Sequence, residues 1–558
     1  MKRSLLGVAL ILVLAMLIPS VVLAGPPNPP GPPTTPGERG QGVNNAPPVY
    51  LQIIAFNDFH GALRESRAVS GVGNVGGADY LAAHIRALEA HNPNTLVISG
   101  GDLIGASPLT SALFHDEPTI EAANLMGMDF AVVGNHEFDE GWQELLRMQN
   151  GGCHPVDGCQ DGDGFAGAQF PFLAANVIVD ATGKTLFPAY DVKTFDGVRV
   201  GFIGVVTRTT PTIVVPAGVA GLTFIDEADA INAAAAELTK RNVEFIVVII
   251  HDGVSGCGAG GPLVDTINRS DDEVDLFISG HSHQNYVCVW DGRTTTSAWY
   301  NGRMFSQINV ELNRVTKDMT LLNAVNQYNA QSIVPAADVS ALIARYEALA
   351  APLTNRVIGT ISADITRTAN PAGESALGDV IADAQLYVTA PPGSGGALVA
   401  FMNPGGIRTD LLYAQISGGE AAGEVTYGEA FAVQPFYNDL VTMTLTGAQI
   451  EALLEQQFVV NRILQVSNGF TYTYSLSAPV GSKVDPASIL INGTPIDLGA
   501  SYRVTVNSFL AGGGDGFTVL TGGTNRLIGM LDIDALVAYF AAFSPLAPGP
   551  QNRITAAP

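Results

Sequence analysis

The chain has 558 residues, a length typical of two large domains or three smaller ones. Hydrophobic residues make up 47% of it and charged residues only 14%, which suits full-sized cores and excludes disorder, collagen, coiled coils and multi-span membrane proteins. Because 27 basic residues face 52 acidic ones, the net charge of −25 argues against a nucleic-acid polymer as partner. A small anion held by metal ions or a few arginines is compatible with that charge.

Residues 1–24 have the pattern of a secretory signal peptide. Two basic residues precede an apolar run from Leu5 to Ile18, and small residues end in a cleavage-site pattern at Ala24. The run is shorter than the roughly 20 residues of a transmembrane helix, so cleavage is favoured over an uncleaved anchor. The prediction is an exported protein, periplasmic, cell-surface or extracellular, with no stable membrane anchor after cleavage.

A spacer and a first domain follow. Residues 25–48 are rich in Pro and Gly and cannot pack a core, so they are predicted to be a linker. From Val49 onward, apolar runs of strand length alternate with helix-like segments such as Ala78–Ala90. This alternation predicts a layered α/β domain over residues 49–335.

A helix is predicted to connect this domain to a second one. Apolar residues recur at helical spacing from Asp338 to Ala351, and Pro352 is expected to end the helix. The connector is assigned to residues 336–356. Residues 357–558 then read as a second α/β domain with its own helices.

The four cysteines favour two disulfides, since an even number in an exported chain usually pairs. Three pairings are open, and the one favoured joins Cys153 to Cys159 and Cys257 to Cys288. The rival interpretation is a zinc site that uses His154 beside Cys153. The spacings match no common zinc module.

Five strand-like runs of the first domain end in side chains of the type that bind metals. The runs lead into Asn57-Asp58-Phe59-His60, Gly101-Asp102, Gly134-Asn135-His136-Glu137, His251 and Gly280-His281-Ser282-His283. In α/β sheets, ligands gather at the carboxyl ends of the strands. Each residue alone could merely cap a strand, but seven donors at five strand ends suit two metals that share a carboxylate.

In this order the motifs D-x-H, G-D, G-N-H-E, H and G-H-x-H resemble those of the calcineurin-like metallophosphoesterases. Residues 403–408, 435–438 and 509–517 resemble the C-terminal domain of 5′-nucleotidases and UDP-sugar hydrolases. The resemblance runs from about Val49 to about Leu520. It implies an α/β fold in which a four-layer α/β-β/α sandwich precedes a separate α/β domain for substrate recognition.

The resemblance also implies the metal ligands and the cofactors. One metal would be held by Asp58, His60 and His283, the other by Asn135, His251 and His281, with Asp102 bridging them. Some relatives have Gln or Asn in place of the last histidine, so that donor set varies. The cofactors would be two divalent ions, with Zn, Mn, Co and Fe all suited to N and O donors.

His136 follows a predicted ligand directly, so it cannot easily aim at the same metal and is free for chemistry. In the family the matching histidine, oriented by the residue that matches Asp139, stabilises charge on the phosphoryl group in the transition state. The alternative is a structural histidine near the metals.

The second domain must do something other than metal chemistry, because the last 275 residues contain no histidine. The resemblance implies that Phe436 and Phe509 stack a nucleobase, although a lone Phe more often packs in a core. It further implies polar contacts to phosphate, base and sugar from Arg408, Asn403, Asn438, Asp515 and, more loosely, Arg367.

The function implied is a metal-dependent hydrolase that removes phosphate from nucleoside 5′-phosphates, a metal-bridged hydroxide attacking phosphorus in line. Hydrolysis of UDP-sugars or other nucleotide pyrophosphates, or of 2′,3′-cyclic nucleotides, would use the same metals. A remote alternative is a decayed secreted protein that binds nucleotides or mediates adhesion, against which the complete set of ligands argues. The sequence leaves the base, the metal and the oligomeric state open.

Overall fold

The computed structural model describes residues 47–558. The predicted signal peptide, residues 1–24, and most of the predicted linker, residues 25–48, lie outside the described residues. The first strand begins at Val49, as predicted. Within the described residues, no helix combines the length and apolar character needed to cross a membrane.

The first domain contains two six-stranded sheets with parallel centres. The first sheet is antiparallel at one edge and parallel at the other, whereas the second is antiparallel at both edges. In spatial order, the first sheet comprises Met319–Tyr328, Met304–Leu312, Val49–Phe56, Thr95–Ser99, Phe130–Val132 and Phe172–Leu173. The second comprises Asn285–Trp290, Arg293–Ala298, Val274–Ser279, Phe245–His251, Val198–Val206 and Tyr190–Phe195. The central strands are almost wholly buried because both faces of each sheet are covered.

Four layers result, which confirms the predicted α/β-β/α sandwich. One apolar core lies between the sheets, where the rings of Phe130 and Phe202 pack with their centroids 4.9 Å apart. A second core joins the outer face of the first sheet to the helices Ala78–Glu89, Glu117–Met126 and Trp142–Asn150. A third joins the second sheet to the helices Glu227–Lys240 and Pro262–Arg269.

Short elements complete the first domain. The strands are Arg67–Val69, Gly73–Val75, Val177–Val179, Lys184–Thr185 and Leu222–Phe224. The short helices are Leu109–Ala112, His136–Phe138, Thr210–Ile213 and Pro216–Val219.

The disulfide prediction is confirmed. Cys153 is bonded to Cys159, and Cys257 is bonded to Cys288. The described residues contain no free cysteine, so the alternative of a zinc site built on cysteine sulfurs falls away.

The connecting helix spans Ala337–Thr354 and contacts both domains. Its residue Ile343 packs into the core of the first domain, and Leu353 packs against the core of the second. The prediction that Pro352 ends the helix is wrong, since the helix continues to Thr354. A proline lacks an N–H donor and its ring crowds the carbonyl four residues earlier, yet the last turn forms, and Asn355 N–H still donates to Ala351.

The second domain is built around a five-stranded sheet with apolar cores on both faces. Its strands, in spatial order, are Gln465–Val466, Val399–Met402, Ser501–Asn507, Asp439–Thr446 and Thr524–Leu531. A four-stranded sheet consists of Thr494–Pro495, Leu490–Ile491, Phe470–Ser475 and Ile554–Ala557, and a strand pair of Val357–Thr360 and Glu424–Thr426. The helices are Ala376–Thr389, Tyr427–Val433, Gly447–Val460, Ser508–Ala511 and Asp532–Phe543. Thr426 and Thr446 begin two of them with capping boxes.

Candidate active site

The predicted metal ligands converge where the two sheets of the first domain present the carboxyl ends of their parallel strands. Each lies at or just after the end of one of five strands, namely Val49–Phe56, Thr95–Ser99, Phe130–Val132, Phe245–His251 and Val274–Ser279. All are buried except the two in the Gly280–His283 loop, which are half-buried. The strand-end pattern in the sequence therefore corresponds to one place in the fold.

Asp58, His60 and His283 form the first ligand group, with one potential donor atom of each within 4.8 Å of the others. The Nδ1 of His60 lies 3.0 Å from the Gly105 carbonyl, so this nitrogen carries the proton and Nε2 presents a lone pair. That Nε2 faces the Nε2 of His283 at 3.1 Å. Two imidazole nitrogens facing each other in this way fit a shared cation.

Asp102, His251 and His281 form the second group. The Nδ1 of His251 lies 2.8 Å from the Gly100 carbonyl, which leaves its Nε2 directed at Asp102 Oδ2, 3.0 Å away. Apart from this carboxylate oxygen the buried Nε2 has no polar partner, and the buried Oδ1 of Asn135 has no hydrogen-bond partner. Both are atoms that a metal ion would satisfy, so the residues present fit a second cation.

Asp102 lies between the two groups. Its Oδ2 is 3.0 Å from the Nε2 of His251 in the second group and 3.9 Å from the Nε2 of His60 in the first. Burial alone would raise the pKa of Asp102, but the nearby His251 and His136 hold this pKa well below its usual range. The carboxylate is therefore ionised and placed to bridge two cations.

Burial also sets the protonation of the neighbouring groups. It lowers the pKa of His281 to about 4 and that of His283 to about 3, so both imidazoles are neutral at neutral pH. Neutral imidazole is the form that binds metals. Burial raises the pKa of Asp58 to about 7 against the opposing effect of His251.

The backbone at the ligands adopts an uncommon conformation. Left-handed φ values occur at five of them, 50° at each of Asp58, His60 and Asp102, 67° at His281 and 54° at His283. Non-glycine residues rarely adopt such angles, and they cluster at functional sites held by surrounding structure. Gly134 permits the close packing, because a Cβ at this position would overlap the Asp102 carboxylate.

Two residues that sequence reasoning missed hold the ligands in place. Buried Asn57 donates from Nδ2 to Asp58 Oδ2 at 2.5 Å and to the Trp299 carbonyl at 2.7 Å. Buried Glu137 accepts hydrogen bonds from the backbone N–H groups of Asp102 and Leu103, at 3.0 and 2.7 Å. Both residues belong to the motifs that supply the predicted ligands. Their position in these motifs could have identified them from the sequence.

His136 points toward the same place. Its Nδ1 lies 2.7 Å from Asp139 Oδ2, so Nε2 is free to face the site. Burial lowers the pKa of this imidazole, but Asp139 and Asp102 outweigh burial and raise it. A ring nitrogen also lies within 4.8 Å of donor atoms of His60 and Asp102, so its freedom from metal ligation stays a prediction.

The second domain closes over the site and forms a cavity of about 370 Å³ with the first. Six of the seven predicted substrate residues line it, namely Asn403, Arg408, Phe436, Asn438, Phe509 and Asp515. From the first domain the lining includes Asp102, Asn135, His136, Asp139, His281 and His283. The structure thus brings four of the seven predicted metal ligands and six of the seven predicted substrate residues to one cavity.

Phe436 lies at the junction of the two domains. Its ring stacks on His136 with a centroid separation of 5.9 Å and an interplanar angle of 18°. The guanidinium carbon of Arg408 lies 5.7 Å from the centre of the same ring. Phe436 of the second domain thus contacts both His136 and Arg408.

Asp515 belongs to a polar network that includes two residues missed in the sequence. Asn403 Nδ2 donates to Asp515 Oδ2 at 3.0 Å, and Asn507 Nδ2 donates to Asn403 Oδ1 at 3.0 Å. Arg462 Nε lies 3.4 Å from Asp515 Oδ1. Asn507 and Arg462 also line the cavity. Asn507 lies two residues before a signature segment, whereas no pattern marks Arg462.

Arg367 stands apart from the other predicted residues. It is exposed and does not line the cavity, and its Nη1 donates to the Ile407 carbonyl at 3.1 Å. That carbonyl belongs to the residue before Arg408. Direct contact of Arg367 with phosphate stays a prediction.

Comparisons with known proteins cover both parts of the chain. The sequence model of the calcineurin-like phosphoesterases matches residues 51–285, and that of the 5′-nucleotidase C-terminal domain matches residues 357–522. Endonuclease YhcR of Bacillus subtilis is 34% identical over 527 residues, which cover 91% of this chain and 41% of that protein. Cell wall protein Lmo0130 of Listeria monocytogenes is 35% identical over 510 residues, covering 84% and 64%. The chain thus spans less than two thirds of each relative.

A solved structure extends the similarity to the arrangement of the whole fold. The crystal structure of a 5′-nucleotidase precursor from Thermus thermophilus superposes with a TM-score of 0.73 at 27% sequence identity. The match covers 91% of this chain and 99% of that one. The two segments matched by the sequence models lie on either side of the helix Ala337–Thr354.

Proposed function

This chain belongs to the 5′-nucleotidase family of calcineurin-like phosphoesterases, and we propose that it removes phosphate from nucleoside 5′-phosphates. The family makes it a phosphoric ester hydrolase. The nucleotide as substrate, the requirement for two metals, the roles of the site residues and export are our proposal.

One observation carries the proposal: four of the seven metal-type ligands, Asp102, Asn135, His281 and His283, line the same cavity as the aromatic and amide side chains of the second domain. A phosphate at the ligand groups would place an attached nucleoside against Phe436 and Phe509. The cavity of about 370 Å³ lies within the roughly 300–1,000 Å³ of small-molecule sites.

The two groups described above support the proposed metal ligands. Asp58, His60 and His283 would hold one divalent ion, Asn135, His251 and His281 the other, and Asp102 would bridge them. When bound, such a pair polarises a phosphoryl group and lowers the pKa of water, so that a nucleophile is present at neutral pH.

The chain's own side chains then complete the site around the phosphate. Asp139 fixes the proton of His136 on Nδ1 or stabilises the imidazolium, which leaves the other nitrogen facing the cavity. From there it can donate a proton or a hydrogen bond to oxygens on which charge develops. Arg408 offers a planar fork of N–H donors suited to phosphate oxygens.

Recognition of the nucleoside falls to the second domain. Phe436 and Phe509 offer ring faces to a base, and stacking contributes about 1–3 kcal/mol per base. Asp515 already accepts from Asn403, yet a carboxylate has further lone pairs and can accept from ribose hydroxyls as well.

Export is supported by the signal-peptide pattern of residues 1–24 and by the two disulfides, which persist in oxidising compartments. The similarity to a protein named as a cell wall protein agrees with this.

The test is hydrolysis by purified protein of nucleoside 5′-monophosphates, UDP-glucose, a 2′,3′-cyclic nucleotide, an aryl phosphate and single-stranded DNA. Released phosphate measures the monoesters, and chromatography of the products measures the other three, whose cleavage frees no inorganic phosphate. We expect 5′-monophosphates to have the highest kcat/KM, chelation to abolish activity, and Mn²⁺, Co²⁺ or Zn²⁺ to restore it. Full activity in metal-stripped protein would overturn the mechanism. Preference for the pyrophosphate, the cyclic nucleotide or the DNA, whose hydrolysis is named for the Bacillus subtilis relative, would overturn the substrate.

A further inference from the structure

A second group of metal-type side chains lies in the first domain, outside the ligand groups described above. His115, His154, Glu140 and Glu144 each place one potential donor atom within 4.8 Å of the others. The rings of His115 and His154 stack with their centroids 3.8 Å apart and an interplanar angle of 16°. None of the four belongs to the proposed catalytic or substrate-binding residues.

We propose that His115, His154, Glu140 and Glu144 form a further cation site, which takes a divalent transition metal of the Zn²⁺ type. Two imidazole nitrogens and two carboxylates are a donor set suited to Zn²⁺, Co²⁺ or Mn²⁺, whereas Ca²⁺ prefers oxygen ligands alone.

The four donors come from separate segments that the fold brings together. His115 follows the short helix Leu109–Ala112, and Glu140 follows His136–Phe138. Glu144 lies in the first turn of the helix Trp142–Asn150. His154 lies in the loop closed by the disulfide Cys153–Cys159. A cation at this position would cross-link all four segments.

Hydrogen bonds on both sides of the disulfide fix the position of the loop that carries His154. Arg147 donates to the Gly152 carbonyl at 2.7 Å, just before the disulfide. After the disulfide, Asp161 accepts hydrogen bonds from Arg345 and from the Tyr346 hydroxyl at 2.9 and 2.8 Å, both on the connecting helix. Preorganised donors of this kind lose little conformational freedom when they bind a cation.

The surroundings carry excess negative charge. Asp157 Oδ2 lies 3.0 Å from His115 Nε2 and 3.3 Å from His154 Nδ1, and Glu140 Oε2 lies 2.7 Å from His115 Nδ1. The only cationic side chain in contact with these carboxylates in the described chain is Arg147, which pairs with Glu144 at 2.6 Å. Three carboxylates thus face one guanidinium and two imidazoles.

The site is also accessible. His115, Glu140, Glu144 and Asp157 line a second cavity of about 420 Å³, which leaves room for a cation and water. Asp139, the partner of His136, lines the same cavity. The competing account is a protonated His115 held between Glu140 and Asp157, in which case no metal binds.

Zn²⁺ binding to the full chain distinguishes the two accounts. We would measure zinc per chain by elemental analysis after equilibrium dialysis for wild type, His154→Ala, the double variant His115→Ala/His154→Ala, and His91→Ala as a control. His91 is exposed and belongs to neither cluster. We expect one equivalent fewer in the double variant and an affinity about 10–100-fold weaker at this site in His154→Ala, with the control equal to wild type. Equal stoichiometry and affinity in all four proteins would overturn the proposal.

Crystallography of the wild-type protein tests the proposal without any variant, and so does not depend on whether a variant folds. Crystals of wild type soaked in Zn²⁺ should give anomalous density beside the ring nitrogens of His115 and His154, at the edge of the stacked pair, in addition to density at the strand-end ligands. Density at the strand ends alone would overturn the proposal. Ca²⁺ in place of Zn²⁺ should leave this site empty. Because His154 is outside the reaction site, His154→Ala should keep kcat within about twofold when the strand-end metals are saturated.

Discussion

The two domains contribute different chemistry to the cavity that they share. The first supplies all nine histidines of the chain and holds five of the predicted ligands in left-handed backbone after its strands. The second supplies no histidine, and its half-buried rings Phe436 and Phe509 lie in a loop and in the short helix Ser508–Ala511. On the proposed assignment, bond cleavage and substrate choice therefore belong to separate parts of the chain. Substitutions in the first domain should therefore lower the rate for every substrate, whereas substitutions in the second should change the preference between substrates.

The largest effect on catalysis is expected from removal of the Asp102 carboxylate, the proposed bridge between the two metals. Asp102→Ala should lose both metals and lower kcat/KM for nucleotide and aryl phosphate alike, by about 10³-fold or more, since metal catalysis supplies several kcal/mol. Elemental analysis and phosphate release measure this. Asp129→Ala removes a carboxylate near the start of a neighbouring strand and should retain both metals. Unequal losses for the two substrates would contradict the division of roles.

His136→Ala should act on the reaction without acting on the metals. Because the free nitrogen of this imidazole faces the cavity, kcat should fall by about 10²–10⁴-fold for both substrates while metal content stays unchanged. His91→Ala, an exposed histidine, is the control. If the variant lost a metal, His136 would be a ligand and its assigned role would be wrong.

Substitutions in the second domain should discriminate between substrates. Phe509→Ala should lower kcat/KM for nucleotides by several-fold to a few hundred-fold, following about 1–3 kcal/mol of stacking, and spare a small aryl phosphate. Phe436→Ala should be less selective, because this ring also stacks on His136. Phe543→Ala, an exposed ring on the last helix, provides the control. Equal losses for both substrates in Phe509→Ala would assign that ring to core packing.

Substitution of Arg462 should have a smaller effect on catalysis, because this residue is proposed to influence the substrate through its ion pair with Asp515. Its guanidinium is 43% exposed, so the ion pair contributes only about 0.2–1 kcal/mol. Arg462→Ala should raise KM for nucleotides by up to about fivefold with kcat unchanged, and Arg462→Lys should recover part of the loss. A fall in kcat instead would mean that Arg462 takes part in the reaction.

The disulfides should affect stability far more than catalysis, and only in the first domain. The chain-entropy estimate is about 4 kcal/mol for Cys257–Cys288, separated by 31 residues, and about 2 kcal/mol for Cys153–Cys159, separated by 6. Native protein should contain no titratable thiol, and removal of the longer-range bridge should lower Tm more. Four free thiols in native protein would contradict both pairings.

The clustering of the strand-end side chains could be predicted from the sequence, because residues at the ends of parallel strands meet at one edge of a sheet. The sequence also placed Phe436, Phe509 and Asp515 at one site, through the resemblance of their loops to a known domain. Both predictions used residues that lie inside local motifs. They needed no knowledge of tertiary contacts.

Other features depend on contacts between distant segments, which no local pattern records. Arg462 reaches the cavity only because the helix that precedes it packs beside the Asp515 loop. The stacking of His115 on His154 likewise joins two segments without a shared motif. At Pro352 a local rule gives the wrong answer. The rule predicts that the helix ends at the proline, but in the folded chain the helix continues to Thr354.

Gly134 has no side chain that could bind a metal, but the position of the Asp102 carboxylate requires a glycine here. Even a single methyl group at this position would occupy the volume of the bridging carboxylate. A natural variant with alanine there would leave every metal-binding residue unchanged in the sequence and would still disturb the centre. When genomes are searched for active members of this family, the identity of this glycine should therefore be weighed together with that of the ligands.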